Sequence, residues 1–399
     1  MKKSLPSVLE VQCRILDSQK ALPAEKVSLD SAFHRFLARE LKAGADRPSF
    51  NRSAMDGFAI ADHSPQSYRI VGETAAGERK FLPLKKGTCI KVYTGSALPQ
   101  NCIAVLPQET VTLLEQSIRP GSPCEKTFIR RKGEDVQRWD RLLSPGTLLR
   151  GPELAVLAQE GMTQPSVHRR VGIAHLAMGK ELVDPARKPV GGQIRDSNSI
   201  LVHSLLQSPA YQLHAQQRID DDPKAAIRFL QSAPCQKSSV LVISGGAGEG
   251  NHDWGERLIH QLGFRLFVHG VNLRPGKPLM VARRRHQTLF VLPGNPVSHW
   301  VTWELFVRPL LRVLSGSRVS LSHFPSRLKN PWSSGLDERD VWWPGRLEYQ
   351  EGQAMVTPLP LQSSGDASKL CGANALIHFP PRKESFKSGE DVATIPCEI

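Results

Sequence analysis

Apolar positions along the chain change their spacing several times, and each change marks a region. From Ser7 to Ala43 they recur at helical intervals, with Val8, Val11 and Ile15 and then Ala32, Phe36, Leu37 and Leu41 on shared faces, which predicts a helical region. Between Tyr68 and about Val136 the runs are short and β-rich (YRIV, CIKVYTG, CIAVLPQETVTLL, KTFIRR) and are separated by Gly and Pro. Helical spacing returns in LLSPGTLLRGPELAVLAQEGM and stops at Gly161. A regular alternation then begins: VGIAHLA as strand, DSNSILVHSLLQ as helix capped by Asp196 or Ser197, YQLHAQQ as strand, and DDPKAAIRFLQSA as helix. Next come the strand Val240 to Ile243, a glycine loop, and the helical pattern WGERLIHQLG ending at Gly263. Beyond Gly316, pieces such as VWWPGRLEY, AMVTPL and ANALIHF again read as strands around turns.

This pattern predicts an α/β multidomain protein. Residues 1–46 and 142–168 form a helical region, interrupted by a β-rich domain at 47–141. A doubly wound, mostly parallel α/β sheet domain spans 169–318, and a C-terminal β barrel-like domain spans 319–399. In a doubly wound sheet, ligands sit at the carboxyl ends of the strands. The polar loops Met178 to Glu181, Asp220 to Asp222, Ser244 to Asp253 and Pro293 to Pro296 all fall there.

Those loops carry the candidate chemistry. Gly245, Gly246, Gly248 and Gly250 let backbone approach a ligand closely, and a following helix start favours an anion. The spacing fits neither a Walker A loop nor a dinucleotide fingerprint. Arg274-Pro275-Gly276-Lys277-Pro278 sets two cations beside a stiff turn, and Pro293-Gly294-Asn295-Pro296 leads straight into the helical pattern from Val297 to Leu314. In RPSFNRSAMDGFAI, Asp56 precedes a short strand at Phe58 to Ile60; taken alone, an Asp-Gly pair is a turn.

Charge narrows the ligand class without naming a ligand. The 399 residues hold 52 basic against 38 acidic side chains, a formal +14, which favours anionic partners. Clusters such as Arg283-Arg284-Arg285 read as solvated faces, and the chain shows no nucleic-acid module. Seven cysteines without a Cys-x-x-Cys pair argue against a disulfide framework or structural zinc and fit a reducing compartment. MKKSLPSVLEVQ is no signal peptide and no run reaches the length of a membrane span, so a soluble, cytoplasmic protein is expected.

In combination the segments resemble the molybdopterin molybdenumtransferases, the MoeA-like family that includes the C-terminal domain of gephyrin. RPSFNRSAMDGFAI is similar to the family's Ser-Ala-Met-Asp-Gly-Tyr-Ala signature, VYTGSALPQNCIAVLPQE to its Thr-Gly segment and RRKGEDV to its Gly-Glu-Asp. GGQIRDSNS, RPGKP, LPGNPVS and QSSGDASKLCGANALIHFP complete the likeness in the same order. The resemblance implies molybdenum cofactor biosynthesis: insertion of molybdate into adenylylated molybdopterin, with Mg²⁺-dependent release of AMP. It also implies a homodimer, contacts with other assembly proteins of the cofactor, and a set of site residues. Asp56, Thr94, Asp135, Glu181, Asp221 and Asp253 would be catalytic, with Glu181 and Asp253 as Mg²⁺ ligands. Ser244, Gly245, Gly246, Lys277, Pro293, Gly294, Asn295 and Ser298 would bind the pterin substrate.

The chain departs from the family in two places. It has Ala177-Met178-Gly179-Lys180-Glu181-Leu182 where Ser-Thr-Gly-Asp-Glu-Leu is usual, and Ala247-Gly248-Glu249-Gly250 where the family has Val-Ser-x-Gly. These departures motivate one alternative, a non-catalytic pterin-nucleotide-binding or scaffold relative. Net charge alone speaks for the other, a basic nucleic-acid-binding protein.

Overall fold

The computed structural model describes residues 5–63, 66–78, 83–121, 126–247, 252–318, 323–333, 339–381 and 384–397, with the backbone alone at 252–254. The chain divides into two compact units. The smaller comprises Glu40–Ser144 and Val156–Met162; the larger comprises Met1–Arg39, Pro145–Ala155 and Thr163–Ile399.

In the smaller unit six strands form one sheet in the order Ala104–Pro107, Gly57–Ile60, Thr88–Val92, Tyr68–Thr74, Ser117–Pro120, Val111–Leu114. Its two faces bury different residues of the same strands, with Phe58, Ile60 and Cys89 on one and Ala59, Ile90 and Val92 on the other. That alternation is the two-residue period of a strand made visible. Gly57 has to be glycine, because a Cβ there would sit 2.1 Å from the Leu106 carbonyl oxygen of the neighbouring strand.

The helical expectation for Ser7 to Ala43 needs correction. Val8–Leu16 is a helix, closed by a capping box in which Ser7 and Glu10 satisfy each other's amides. Beyond it only Leu29–Ala32 is helical. The first helix ends at its C-cap, Asp17, with Ser18 at φ +60°; Ala24–Lys26 pairs antiparallel with Ser166–His168, and Phe36 and Leu37 bridge to Leu148 and Val167. Tertiary pairing overrides the periodicity of this segment.

The α/β part holds a six-stranded sheet in the order Tyr211–Ile219, Val171–Met178, Val240–Ser244, Gln287–Leu292, Met280–Arg284, Arg265–His269. The first three pairings are parallel and the last two antiparallel, so the sheet is mostly parallel as expected. Val171–Met178 and Val240–Ser244 are buried along their whole length. One face packs Val171, Ile173, Val240 and Val242 against the helical stretch Pro296–Leu314; the other packs Leu176, Leu241 and Ile243 against Leu258 and Ile259. Asp196, rather than Ser197, caps the helix Asn198–Leu205, accepting from the Ser199 amide at 3.0 Å. Asp222 caps Pro223–Leu230.

The C-terminal strands close on themselves. Asp340–Gln350 pairs with Gln353–Pro358, then follow Phe324–Leu328, Asp391–Pro396 and Ala375–Phe379, which pairs back with Asp340–Gln350. Closure makes a five-stranded barrel around Leu328, Val341, Val356, Ile377 and Phe379. The Leu273–Arg274 strand adds to its outside, parallel to Asp340–Gln350.

Candidate functional site

In the smaller unit the SAMDG segment is held by its own side chains. Ser53 Oγ donates to the Met55 carbonyl at 2.5 Å, and the Gly95 amide donates to the Ser53 carbonyl, which brings the Thr94 turn over Asp56. Thr94 donates its amide and its hydroxyl to Asp56 Oδ1 at 2.7 and 2.8 Å. These two bonds, the backbone one first, hold the Asp56 carboxyl below its ordinary range. Asp56 is therefore an exposed, fixed carboxylate. Asp135 is ion-paired with Arg130 and lies 3.9 Å from Arg52, so two guanidinium groups face its charge.

In the larger unit the glycine loop and its neighbours meet at the carboxyl ends of the central strands. Gly245 has φ +96°, and a Cβ there would lie 2.4 Å from the Met178 carbonyl oxygen; its amide donates to the Leu292 carbonyl at 3.0 Å. Gly246 follows at φ +74°. A Cβ on Gly294 would be 3.7 Å from the Gly245 Cα, so the Pro293–Asn295 turn rests directly on the glycine loop. Asn198 Nδ2 ties the same turn to the start of its helix, donating to the Gly294 carbonyl at 2.7 Å. Its Oδ1 is buried without a partner among the described residues.

Glu181 is exposed at the end of Val171–Met178, its carboxylate folded over Gly179. Asp221 is exposed on the next loop, joined to this one through the Gly179 amide and Ile219 carbonyl at 3.2 Å. Lys277 is half-buried in a cavity of about 250 Å³ whose wall includes Ala247, His269, Gly270, Pro278 and Met280. That cavity adjoins the described end of the glycine loop. Ser298 is buried, and Asn295 Nδ2 donates to Ser364 Oγ at 2.9 Å while the Val297 amide donates to the Ser364 carbonyl. The helix start at Pro296 is thus partly occupied by the chain itself.

Gly248, Glu249 and Gly250 lie outside the described residues, as does the side chain of Asp253, whose backbone begins the helix His252–Gln261. Among the described residues no group of three or more His, Cys, Asp or Glu gathers to hold a metal ion.

Sequence reasoning missed a polar layer beneath the loops. His175 Nε2 lies 2.6 Å from Ser244 Oγ, and His175 Nδ1 lies 2.9 Å from Gln216 Nε2. His299, fully buried, has Nδ1 3.3 Å from the Pro293 carbonyl. Desolvation pushes His175 down to about 3, with His299 adding to it, and His299 down to about 4, so both are neutral near pH 7. The signal was present in VGIAHLA, where one imidazole interrupts an apolar buried strand. The expectation of a solvated Arg283–Arg285 face is also corrected: Arg283 donates to the Ile15 carbonyl and Arg284 to the Leu262 carbonyl, at 2.7 and 2.6 Å, and both lie over phenylalanine rings.

Glycine turns at the carboxyl ends of a mostly parallel sheet, followed in the chain by a closed barrel, define a multidomain α/β protein. Three family models cover nearly the whole chain: the MoeA N-terminal region (domain I and II) at residues 6–161, a probable molybdopterin binding domain at 174–313, and the MoeA C-terminal region (domain IV) at 325–397. The chain belongs to the MoeA family. It is 29% identical to a molybdopterin molybdenumtransferase of Synechocystis over 91% of this chain and 93% of the relative, and 27% identical to that of Bacillus subtilis over 99% and 94%. A solved MoeA protein from Pyrococcus horikoshii OT3 superposes with a TM-score of 0.81 at 26% identity, over 98% of this chain and all of that one. No described helix is long and apolar enough to cross a membrane.

Proposed function

We propose that this chain is a molybdopterin molybdenumtransferase that inserts molybdate into adenylylated molybdopterin with release of AMP. One observation carries the reading most directly: Gly245, Gly294 and Lys277 place close-approach backbone and a cation at the carboxyl ends of the parallel strands. Loop amides and the Lys277 ammonium suit phosphate and molybdate oxygens, which are anionic and accept hydrogen bonds. Exposed Glu181 and Asp221 supply hard oxygen donors of the kind Mg²⁺ prefers. Mg²⁺ commonly takes one or two carboxylates together with substrate phosphates. When bound, it would neutralise phosphate charge as AMP leaves. Asp253 remains a candidate ligand on sequence resemblance.

The same resemblance supports a cytoplasmic homodimer in which Asp56 of one chain serves the site of the other. The test is reconstitution with purified protein, adenylylated molybdopterin, molybdate and Mg²⁺, reading AMP release and molybdenum-loaded cofactor. Binding of the pterin nucleotide without AMP release would instead identify a non-catalytic relative. Sedimentation addresses the dimer, and partial recovery of activity on mixing Asp56→Ala with Lys277→Met subunits addresses the shared site.

A further inference from the structure

We propose that His175 is a positioning residue: its Nε2–H fixes the Ser244 hydroxyl as a hydrogen-bond donor toward the anionic substrate group held at the Ser244–Gly246 loop. The ligand half of this rests on the loop reading given above.

The argument starts from direction. Gln216 Nε2 donates to the Ser199 carbonyl at 2.9 Å, and a backbone carbonyl can only accept, so the amide nitrogen is the atom that faces it. The same nitrogen faces His175 Nδ1 at 2.9 Å, which makes Nδ1 an acceptor. A neutral imidazole then carries its one hydrogen on Nε2. Nε2 lies 2.6 Å from Ser244 Oγ, so the serine oxygen accepts and its own hydrogen is left to donate. Among the described residues Ser244 Oγ has no second partner.

Placement gives that hydrogen a purpose. Every residue of Val171–Met178 is buried, and burying an imidazole among aliphatic neighbours costs free energy unless both nitrogens are satisfied. Gln216 and Ser244 satisfy both. Ser244 ends its strand, and the next residue is Gly245, on which Gly294 rests. Burial keeps His175 neutral, and the imidazole facing it from the helix that begins at Pro296, His299, is neutral too. The relay therefore stays in one tautomer through the physiological pH range.

Selective ¹⁵N-histidine labelling tests the first half without any substrate. The expected signal is a slowly exchanging Nε2–H imidazole that disappears in His175→Leu and shifts in Ser244→Ala; an Nδ1-protonated ring at His175 overturns the proposal. Binding of metal-free molybdopterin tests the second half. His175→Leu and Ser244→Ala should each weaken it by about tenfold, as for loss of one hydrogen bond to a charged group. The double variant should bind no worse than Ser244→Ala, because both changes remove the same donor. His175→Gln, which keeps an N–H near Ser244, should recover much of the loss. Multiplying losses in the double variant, or wild-type affinity in folded His175→Leu, overturns the positioning role. A wild-type protein without molybdopterin affinity sinks the loop reading and the ligand half with it, and leaves the tautomer result to be decided by its own spectrum.

Discussion

Thr94 gives two hydrogen bonds to one oxygen of Asp56, from its amide at 2.7 Å and its hydroxyl at 2.8 Å. The pair converts a turn aspartate into a carboxylate of fixed orientation and depressed pKa. A carboxyl whose folded pKa lies below its unfolded one stabilises the fold above the unfolded value and loses that contribution as pH falls through the folded value. Thr94→Val keeps the amide bond and removes the hydroxyl. Asp56 should then titrate closer to the ordinary aspartate range, narrowing the window at its acid end. A carboxyl-carbon NMR titration reads this directly, and an unchanged Asp56 curve would show that the hydroxyl contributes nothing.

Lys277 faces the cavity beside Ala247 from the turn after Gly276. Met in its place keeps much of the stem and removes the ammonium. Affinity for molybdopterin should fall by about 1.5–3 kcal/mol, the range for a hydrogen bond to a charged group, with the unfolding midpoint little changed. Calorimetric titration of folded Lys277→Met with wild-type affinity would leave Lys277 as a lysine of the cavity wall without a ligand.

Gly57 carries a different prediction, one of stability. With a hypothetical Cβ 2.1 Å from the Leu106 carbonyl oxygen, alanine cannot be accommodated unless the strands Gly57–Ile60 and Ala104–Pro107 move apart. Overpacking of this kind costs about 1–3 kcal/mol, so urea unfolding of Gly57→Ala should show a clearly lowered midpoint. Gly87→Ala is the control for backbone conformation alone, because its φ of +73° is strained for alanine but the space around it is open. Equal losses in the two variants would remove the steric explanation.

The parts of the fold that could be read from the chain were those whose periodicity and burial agree. Val171–Met178 and Val240–Ser244 are apolar because they are covered on both faces, and the glycines between strand and helix sit where backbone meets backbone. The segment after Val8–Leu16 misled because Phe36 and Leu37 are placed by bridges to Leu148 and Val167, partners more than a hundred residues away. The site was legible as a set of loops and not as a set of bonds. Nothing local in LPGNPVS announces that Asn295 will donate to Ser364, or that Gln216 will orient His175, since those partners arrive from other elements.

Lys180, a base where the family it resembles has an acid, sits beside Glu181 at the end of Val171–Met178. Two roles are open to it: pairing with Glu181, or attracting an oxyanion. Both side chains are exposed, and the Glu181 carboxylate folds over Gly179. The exposure of Lys180 at the end of that strand favours the second role, in which the ammonium would attract an oxyanion. Lys180→Asp replaces that attraction by a repulsion next to a second carboxylate. Two unit charges about 4 Å apart interact by roughly 1 kcal/mol in water and more where solvent is partly excluded, so reversing one of them should weaken molybdate binding by about tenfold or more. Equilibrium dialysis with molybdate measures this, and the slope against salt concentration should be steeper for the wild type than for the variant. In Lys180→Met, which removes the ammonium without adding a carboxylate beside Glu181, the Mg²⁺ concentration that half-activates AMP release should stay where it is. Molybdate affinity equal to that of the wild type in Lys180→Asp would show Lys180 to be a solvated side chain; a lowered Mg²⁺ requirement in Lys180→Met would establish the pairing role instead.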